Sequence, residues 1–581
     1  MFCSDCGYNL INESGGFCPN CGTVIETAPR PAPAPVPPMG GPGPAPMVFC
    51  IHCGSTVEAG SVFCGECGGT ITAPVPPKPG PIGKKTVKQS FKRAGGGGGK
   101  GLKIGALVGL IAVFVVVVIL IISRVGGGGG RGPGFADNTI AMGWNATYVI
   151  NQANELWAWG NNTSAQLGDG TRTNRNIPVR IMSDIVHVQG TAAIDAERNL
   201  WVWGDNTGLD AFERLNEAER AIPQLHMENV RTHLGNMVIT TEGELWGWGA
   251  NYDGQLGDGS FTNRGIPVRI RDDVASVFGW RTRHLITTEG VLWGWGYNES
   301  GLIGDGSFTN RNVPVRIMDE VAAVVPSGFG VMAITGDNTL WAWGQNDSGQ
   351  LGDGTFTERN MPIRVMDNVA SVSTGFHQFF CEDEWVWESH VSVYALATDG
   401  TLWAWGGNGV GQLGDGSFTN RNTPIRLKEN VASVSVMGGS VFAITRDNVL
   451  WAWGNNEFGQ LGDGSFTNRN TPVRVREGVA SVRFGGSWSV YALTTGHELW
   501  GWGSNSSGQL GDGSFTDRNT PVRIMDDVAV VRALSERVIA ITRDAVLWAW
   551  GDNEMGQLGD GTMTNRNTPV RIMTDVIIPS N

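Results

Sequence analysis

Eight of the nine cysteines fall into two sets whose spacing suits a metal ion. Cys3, Cys6, Cys18 and Cys21 read C-x2-C-x11-C-x2-C, and Cys50, Cys53, Cys64 and Cys67 read C-x2-C-x10-C-x2-C. A glycine follows each pair, at Gly7, Gly22, Gly54 and Gly68. Such a hairpin turns backbone amides toward the sulfurs and stabilises thiolate charge. Two hairpins make a closed tetrahedral site of four thiolates, which leaves no open position for catalysis. The expectation is two structural Zn2+ ions that supply the folding free energy so small a core lacks. The alternatives are disulfides or a redox C-x2-C. Residues 1–77 hold one basic side chain, Arg30, against five acidic ones, so a protein contact is favoured there over nucleic acid.

A second set of residues suits recognition. The segment FHQFFCEDEWVWESHV, Phe376 to Val391, combines Phe379, Phe380, Trp385 and Trp387 with Glu382 and Asp383. Aromatic side chains on a loop are typical of binding surfaces, so these six are the candidate partner-binding residues. The alternative is an insertion that folds back on its own domain. Cys381 within it is unpaired, and its acidic neighbours would raise the thiol pKa.

A third set recurs. Asp169, Asp258, Asp305, Asp353, Asp415, Asp463, Asp512 and Asp560 each sit in a Gly-Asp-Gly, and an arginine follows six residues later, from Arg175 to Arg566. One carboxylate per loop is too few oxygens for calcium, whereas Asp-Gly closes a turn and arginine can pin it. These pairs are read as structural. No HExxH, GxSxG or GxxxxGK[ST] occurs, and the histidines do not recur in register with a nucleophile, so no enzyme is expected.

The elements that carry these residues are repeats. Trp-x-Trp-Gly recurs nine times, from Trp157 to Trp548, at steps of 44, 45, 47, 48, 62, 48, 49 and 48 residues. A fixed period of this length marks stacked supersecondary units. One unit reads VASVSV, a Gly-Gly turn, VFAIT, a short turn, VLWAWG, a long loop and PVRV. That is four short antiparallel strands, the blade of an all-β propeller, with the tryptophans assigned to packing between blades. The 62-residue step holds the Phe376–Val391 insertion between the first and second strands of one blade. The second unit departs from the pattern: 205–224 has no GQLGDG.

The LWAWG-x-N strand and turn, the GQLGDG loop, the Pro-Val after it and the VASV strand together resemble the regulator-of-chromosome-condensation repeat family. The resemblance covers roughly Phe135 to Ile578 and implies a β-propeller. Members commonly close with seven blades, whereas nine units are present here. The expectation is one ring of nine, with Asp575 to Ile578 pairing near the first blade. The paired cysteine sets are similar to the zinc ribbons at the head of many bacterial membrane proteins.

Charge and hydropathy divide the chain. Residues 1–131 carry a net +6, and the remainder carries −19 with a single lysine, Lys428. An acidic, lysine-poor propeller makes nucleic acid a poor partner. Residues 104–123, IGALVGLIAVFVVVVILIIS, hold no charge. As a helix they would reach about 30 Å, enough for one transmembrane span. Seven lysines and arginines precede this stretch from Lys84, and two follow it by Arg131. The asymmetry favours a cytoplasmic N-terminus and an extracytoplasmic propeller. The domains expected are zinc ribbons at 1–27 and 48–72, Pro-, Lys- and Gly-rich linkers at 28–47, 73–103 and 124–134, the helix, and the propeller at 135–581. The function expected is a membrane-anchored interaction protein that binds a protein or an envelope polymer. The alternatives are a hydrolase inhibitor acting through the loop face and a propeller lyase or hydrolase.

Overall fold

The computed structural model describes residues 139–579, except 144, 206–216, 328–329, 382–385 and 487, and two short strands near the N-terminus. For 378–389 it describes at most the backbone. The eight paired cysteines, the linkers, the 104–123 stretch, Glu382, Asp383 and Trp385 lie outside the described residues. Among the described residues no helix is long and apolar enough to cross a membrane. The chain divides into two units, Met1–Gly99 and Lys100–Asn581. In the first, Met47–Phe49 pairs antiparallel with Thr56–Glu58, and Cys50 and Cys53 belong to the connection between them.

The second unit is a propeller of nine four-stranded sheets, each with its strands hydrogen-bonded in chain order. Blades 1 to 9 span 140–182, 185–227, 230–271, 274–318, 321–366, 369–428, 431–476, 479–525 and 528–573. Local sequence fixes the turns. The residue before most first strands has positive φ, as at Asp184 (61°), Asn229 (58°), Asn430 (60°) and Asp527 (58°). Asn, Asp and Gly tolerate that conformation, which explains their recurrence there. The fourth strand begins at the arginine rather than at the proline, as in Arg469–Arg476. Proline is tolerated because this strand is the blade's outer edge.

No single core fills the ring. Each apolar cluster lies between neighbouring blades. In one, Met332, Leu340 and Leu351 of blade 5 pack with Val369, Val393 and Trp405 of blade 6. The second tryptophan of each Trp-x-Trp-Gly is fully buried there, while the first is only partly covered. Trp502 donates its indole N–H to the Gln460 carbonyl of the preceding blade at 2.8 Å, and Trp550 does the same to Gln509 at 2.8 Å. Among the described residues a glycine stands under eight of the nine rings, Trp248 being the exception: a Cβ at Gly462 would lie 2.7 Å from Trp502 Nε1.

The ring closes by the same contacts. Trp159 of blade 1 donates to Gln557 O of blade 9 at 3.0 Å, and Gly561 N donates to Asn176 O at 2.7 Å. Gly513 and Asn567 make the equivalent bond between blades 8 and 9 at 2.8 Å. The C-terminal segment pairs with blade 1 through an Asn151–Val576 bridge, as the sequence suggested. No strand is exchanged between blades. Blade 2 is the exception in the ring: its third-to-fourth connection contains the short helix Glu217–Arg220, and among the described residues Trp248 of blade 3 has no acceptor for its indole N–H.

Candidate functional site

The repeated aspartates are consumed by the fold. In blade 8, Asp512 Oδ1 accepts from Ser514 N (3.0 Å), Ser514 Oγ (2.8 Å) and Asn505 Nδ2 (3.2 Å), while Oδ2 accepts from Arg518 Nε at 2.6 Å. Burial opposes the charge, but these hydrogen bonds outweigh it and hold the carboxyl below its ordinary range. The buried Asn505 completes the knot, since its Oδ1 accepts from Leu510 N at 2.9 Å. Seven other blades repeat the Asp–Arg pair, so these residues lock loops and are not ligand sites.

Eighteen tryptophans belong to the Trp-x-Trp-Gly strands, which leaves five of the 23. Trp280 in blade 4 and Trp488 in blade 8 fall between the first and second strands; by sequence so do Trp144 in blade 1 and Trp385 in blade 6, while Trp387 lies on the second strand of blade 6, in the insertion. In an antiparallel meander these turns share one face with the third-to-fourth loops. Two contacts demonstrate it: Arg281 pairs with Asp253 of the preceding blade's loop at 2.8 Å, and Trp488 stacks on Phe458 of the preceding loop.

On blades 3 and 4 this face carries the amino acids that dominate binding energetics, Trp, Tyr and Arg. Trp280 is 66% exposed and Tyr252 is 74% exposed. Arg281 is held between the Asp253 carboxylate and the Tyr297 ring, with Cζ 4.5 Å from the ring centroid. Tyr297 donates to Glu299 at 2.9 Å, and this bond raises the phenol pKa. Arg281 and Tyr297 are thus fixed before any partner arrives, which lowers the entropy lost on binding. On blades 7 and 8, Phe458 and Trp488 lie parallel with centroids 6.3 Å apart.

Between these patches stands the insertion, and its form differs from the expected loop. The strands Val369–Cys381 and Val386–Ala397 continue the ladder outward through Phe376↔Val391 to Cys381↔Val386. The insertion is therefore a β-hairpin arm, because strand-favouring aromatic and β-branched residues occur on both strands and the cross-strand pairing continues through them. Phe379, Phe380 and Trp387 lie on its strands; Glu382, Asp383 and Trp385 belong to its tip by sequence. Its base leans on blade 7, where a Cβ at Gly439 would meet Val410 at 2.5 Å and His377 at 3.3 Å. Burial, then the neighbouring His390, hold the His377 pKa down. Sequence reasoning found the arm and missed Trp280, Tyr252, Arg281, Phe458 and Trp488. The available signal was that Trp280 and Trp488 lie outside the Trp-x-Trp-Gly pattern.

The model of the "Double zinc ribbon" matches residues 2–68. That of the "Regulator of chromosome condensation (RCC1) repeat" matches 154–192, 242–278, 337–381, 399–444, 447–491, 497–541 and 544–577. Comparison with curated proteins finds no match. Among solved structures, human WBSCR16 is 20% identical, with 57% of this chain and 93% of that chain covered at a TM-score of 0.39. Prp20p from Saccharomyces cerevisiae, reported with its binding to Gsp1p and histones, is 19% identical, with 60% and 91% covered at a TM-score of 0.40. Yeast RCC1 (Prp20) in complex with Kap60 is 20% identical, with 56% and 83% covered at a TM-score of 0.39. With repeat matches over half of its length, the chain belongs to the RCC1-repeat family.

Proposed function

We propose that this chain is a membrane-anchored interaction protein that does no chemistry of its own. Its propeller binds a protein partner on the face built from the first-to-second turns and the third-to-fourth loops. The observation that carries this reading is the segregation of tryptophan. Among the described residues, Trp280 and Trp488, which the repeat does not require, lie on that face; Trp144 and Trp385 belong by sequence to the same first-to-second connections, with Trp387 in the insertion of blade 6. Exposed aromatic side chains are costly to leave in water unless something covers them.

The 104–123 stretch serves as the anchor, with the zinc ribbons on the cytoplasmic side and the propeller outside; the charge asymmetry across that stretch supports this orientation. The eight cysteines fit two structural zinc ions by donor chemistry, and four thiolates on each would hold the metal without an open position. The ribbon surface, net acidic, favours a protein contact of its own.

The test is capture from envelope extract by the full-length chain against two variants, Trp280→Ala with Tyr252→Ala, and Trp385→Ala with Trp387→Ala. Both should keep the melting temperature within a few degrees. At least one should weaken capture by about 2 kcal/mol or more, the scale of an interface hot spot. Capture unchanged in both would refute the loop-face reading. A polymer partner would be recognised by capture that survives protease digestion of the extract.

A further inference from the structure

We propose that Arg283 is the recognition element of a carboxylate-binding site beneath Trp280, where blade 4 meets the first turn of blade 3. The proposal rests on the loop face being the binding face, and deepens it by naming the chemistry of one contact.

Arg283 stands where the fold asks for an apolar side chain. It pairs in register with the buried Trp295. The residues paired with the buried tryptophan of blades 5 to 9 are Val331, Val393, Val441, Val490 and Val538. Arg283 is as buried as those valines, at 1% exposure. A guanidinium taken from water normally faces a carboxylate, because the desolvation cost otherwise goes uncompensated. Here NH1 donates to Gly279 O at 2.6 Å and NH2 to Asn236 Oδ1 at 2.7 Å, both neutral acceptors. Nε has no acceptor among the described residues. Among the described residues no acidic side chain forms an ion pair with it, whereas its neighbour Arg281 is paired with Asp253. Burial lowers its pKa to about 10, so it remains a cation at neutral pH.

On the solvent side this charge lies beside the exposed Trp280. Trp280 places its ring centroid 5.6 Å from Arg283 Cζ. Its inner edge rests on the Gly235 turn, where a Cβ would come within 3.2 Å of Cζ3. The rest of the indole faces solvent, so the ring can rotate off the guanidinium without disturbing the blade. Rotation would open the Nε edge, and a carboxylate could then accept from Nε and a terminal N–H together, the strong bidentate arrangement. An aspartate, glutamate or C-terminus of a protein partner supplies that group, and so does a free small carboxylate.

The full-length chain is titrated with sodium acetate, and with sodium chloride at matched ionic strength, following tryptophan fluorescence and melting temperature. A saturable response to acetate alone is expected. Arg283→Val should fold and weaken that response at least tenfold. Should it not fold, Arg283→Gln provides the same test. Trp280→Ala should keep the thermal shift and lose most of the fluorescence change. A response of equal size to chloride, an undiminished response in the Arg283 variant, or no saturable response would overturn the site. A capped glutamate peptide binding tenfold more tightly than acetate supports a protein source; equal binding supports a free carboxylate. Loss of the acetate response with capture still dependent on Trp280 and Tyr252 would overturn this site alone. Capture indifferent both to those two aromatics and to Trp385 with Trp387 would overturn the loop-face reading and leave the acetate result to stand separately.

Discussion

Gly462 and Gly478 both have positive φ, at 74° and 71°, yet they differ in what a side chain would meet. At Gly462 a Cβ lies 2.7 Å from Trp502 Nε1; at Gly478 the nearest atom is Thr495 Oγ1 at 3.9 Å. Gly462→Ala therefore adds backbone strain and an overlap with a ring that cannot retreat, and should cost about 2 kcal/mol or more. Gly478→Asn restores the residue found before other first strands and should be neutral or stabilising by about half a kcal/mol. Thermal unfolding of the two variants checks both. At this scale the sequence was legible wherever a residue recurs, since Asp-Gly and Arg at constant spacing announce a loop lock. The buried asparagine, Asn505 and its equivalents, was visible as LWAWG-x-N, but nothing in its type says it binds the loop from within. Trp280 could be noticed only as a tryptophan outside the repeat, and Arg283 was illegible because a single arginine in a strand gives no sign of being buried.

The four-strand blade was legible because its turns, alternation and period agree. The arm on blade 6 was not, because whether an insertion loops or extends a ladder depends on cross-strand pairing over residues far apart in register. The seam between blades 2 and 3 was half legible: the missing GQLGDG showed that the loop was rebuilt, but not what replaced it. His187 and His233 face each other across that seam with ring centroids 5.3 Å apart. Burial lowers their pKa values to about 4 and about 3. The unfolded chain, with histidine near 6.5, takes up protons first as pH falls. The stability they leave intact at neutral pH is therefore lost between about pH 6.5 and 4. His233→Val places the residue that other blades carry there, as at Val434, and should flatten stability against pH over that range. The eight loop aspartates act lower. Their folded values lie below the usual carboxylate range, so their contribution is complete above about pH 4 and lost as pH falls further. Denaturant melts of wild type and His233→Val at pH 7, 5 and 3 separate the two regimes. An unchanged profile in the variant would show that the seam does not set acid stability.

Nine blades close into one ring because the contact between blades 9 and 1 repeats the contact between the other neighbours, the seam of blades 2 and 3 excepted, and the count was readable from nine Trp-x-Trp-Gly strands. Each blade's core is shared only with its neighbours. The propeller consequently should not need the ribbon metal. Chelation of the full-length chain is expected to release two zinc ions and leave the main thermal transition in place; a propeller that melts with metal loss would contradict that independence. The sequence located the propeller and pointed to its loop face, but not to Tyr252, Arg281 and Phe458 on that face, since which loop residues meet across blades is a property of the closed ring. The central claim is that this face, and not the outer fourth strands, meets the partner. Hydroxyl-radical footprinting of the captured complex tests it most directly. Tyr252, Trp280, Phe458 and Trp488 should be protected when the partner is bound, with Trp341 and Trp451 in the grooves of the opposite face oxidised at their free rate. Protection of Trp341 and Trp451 with the loop-face aromatics still reactive would contradict it.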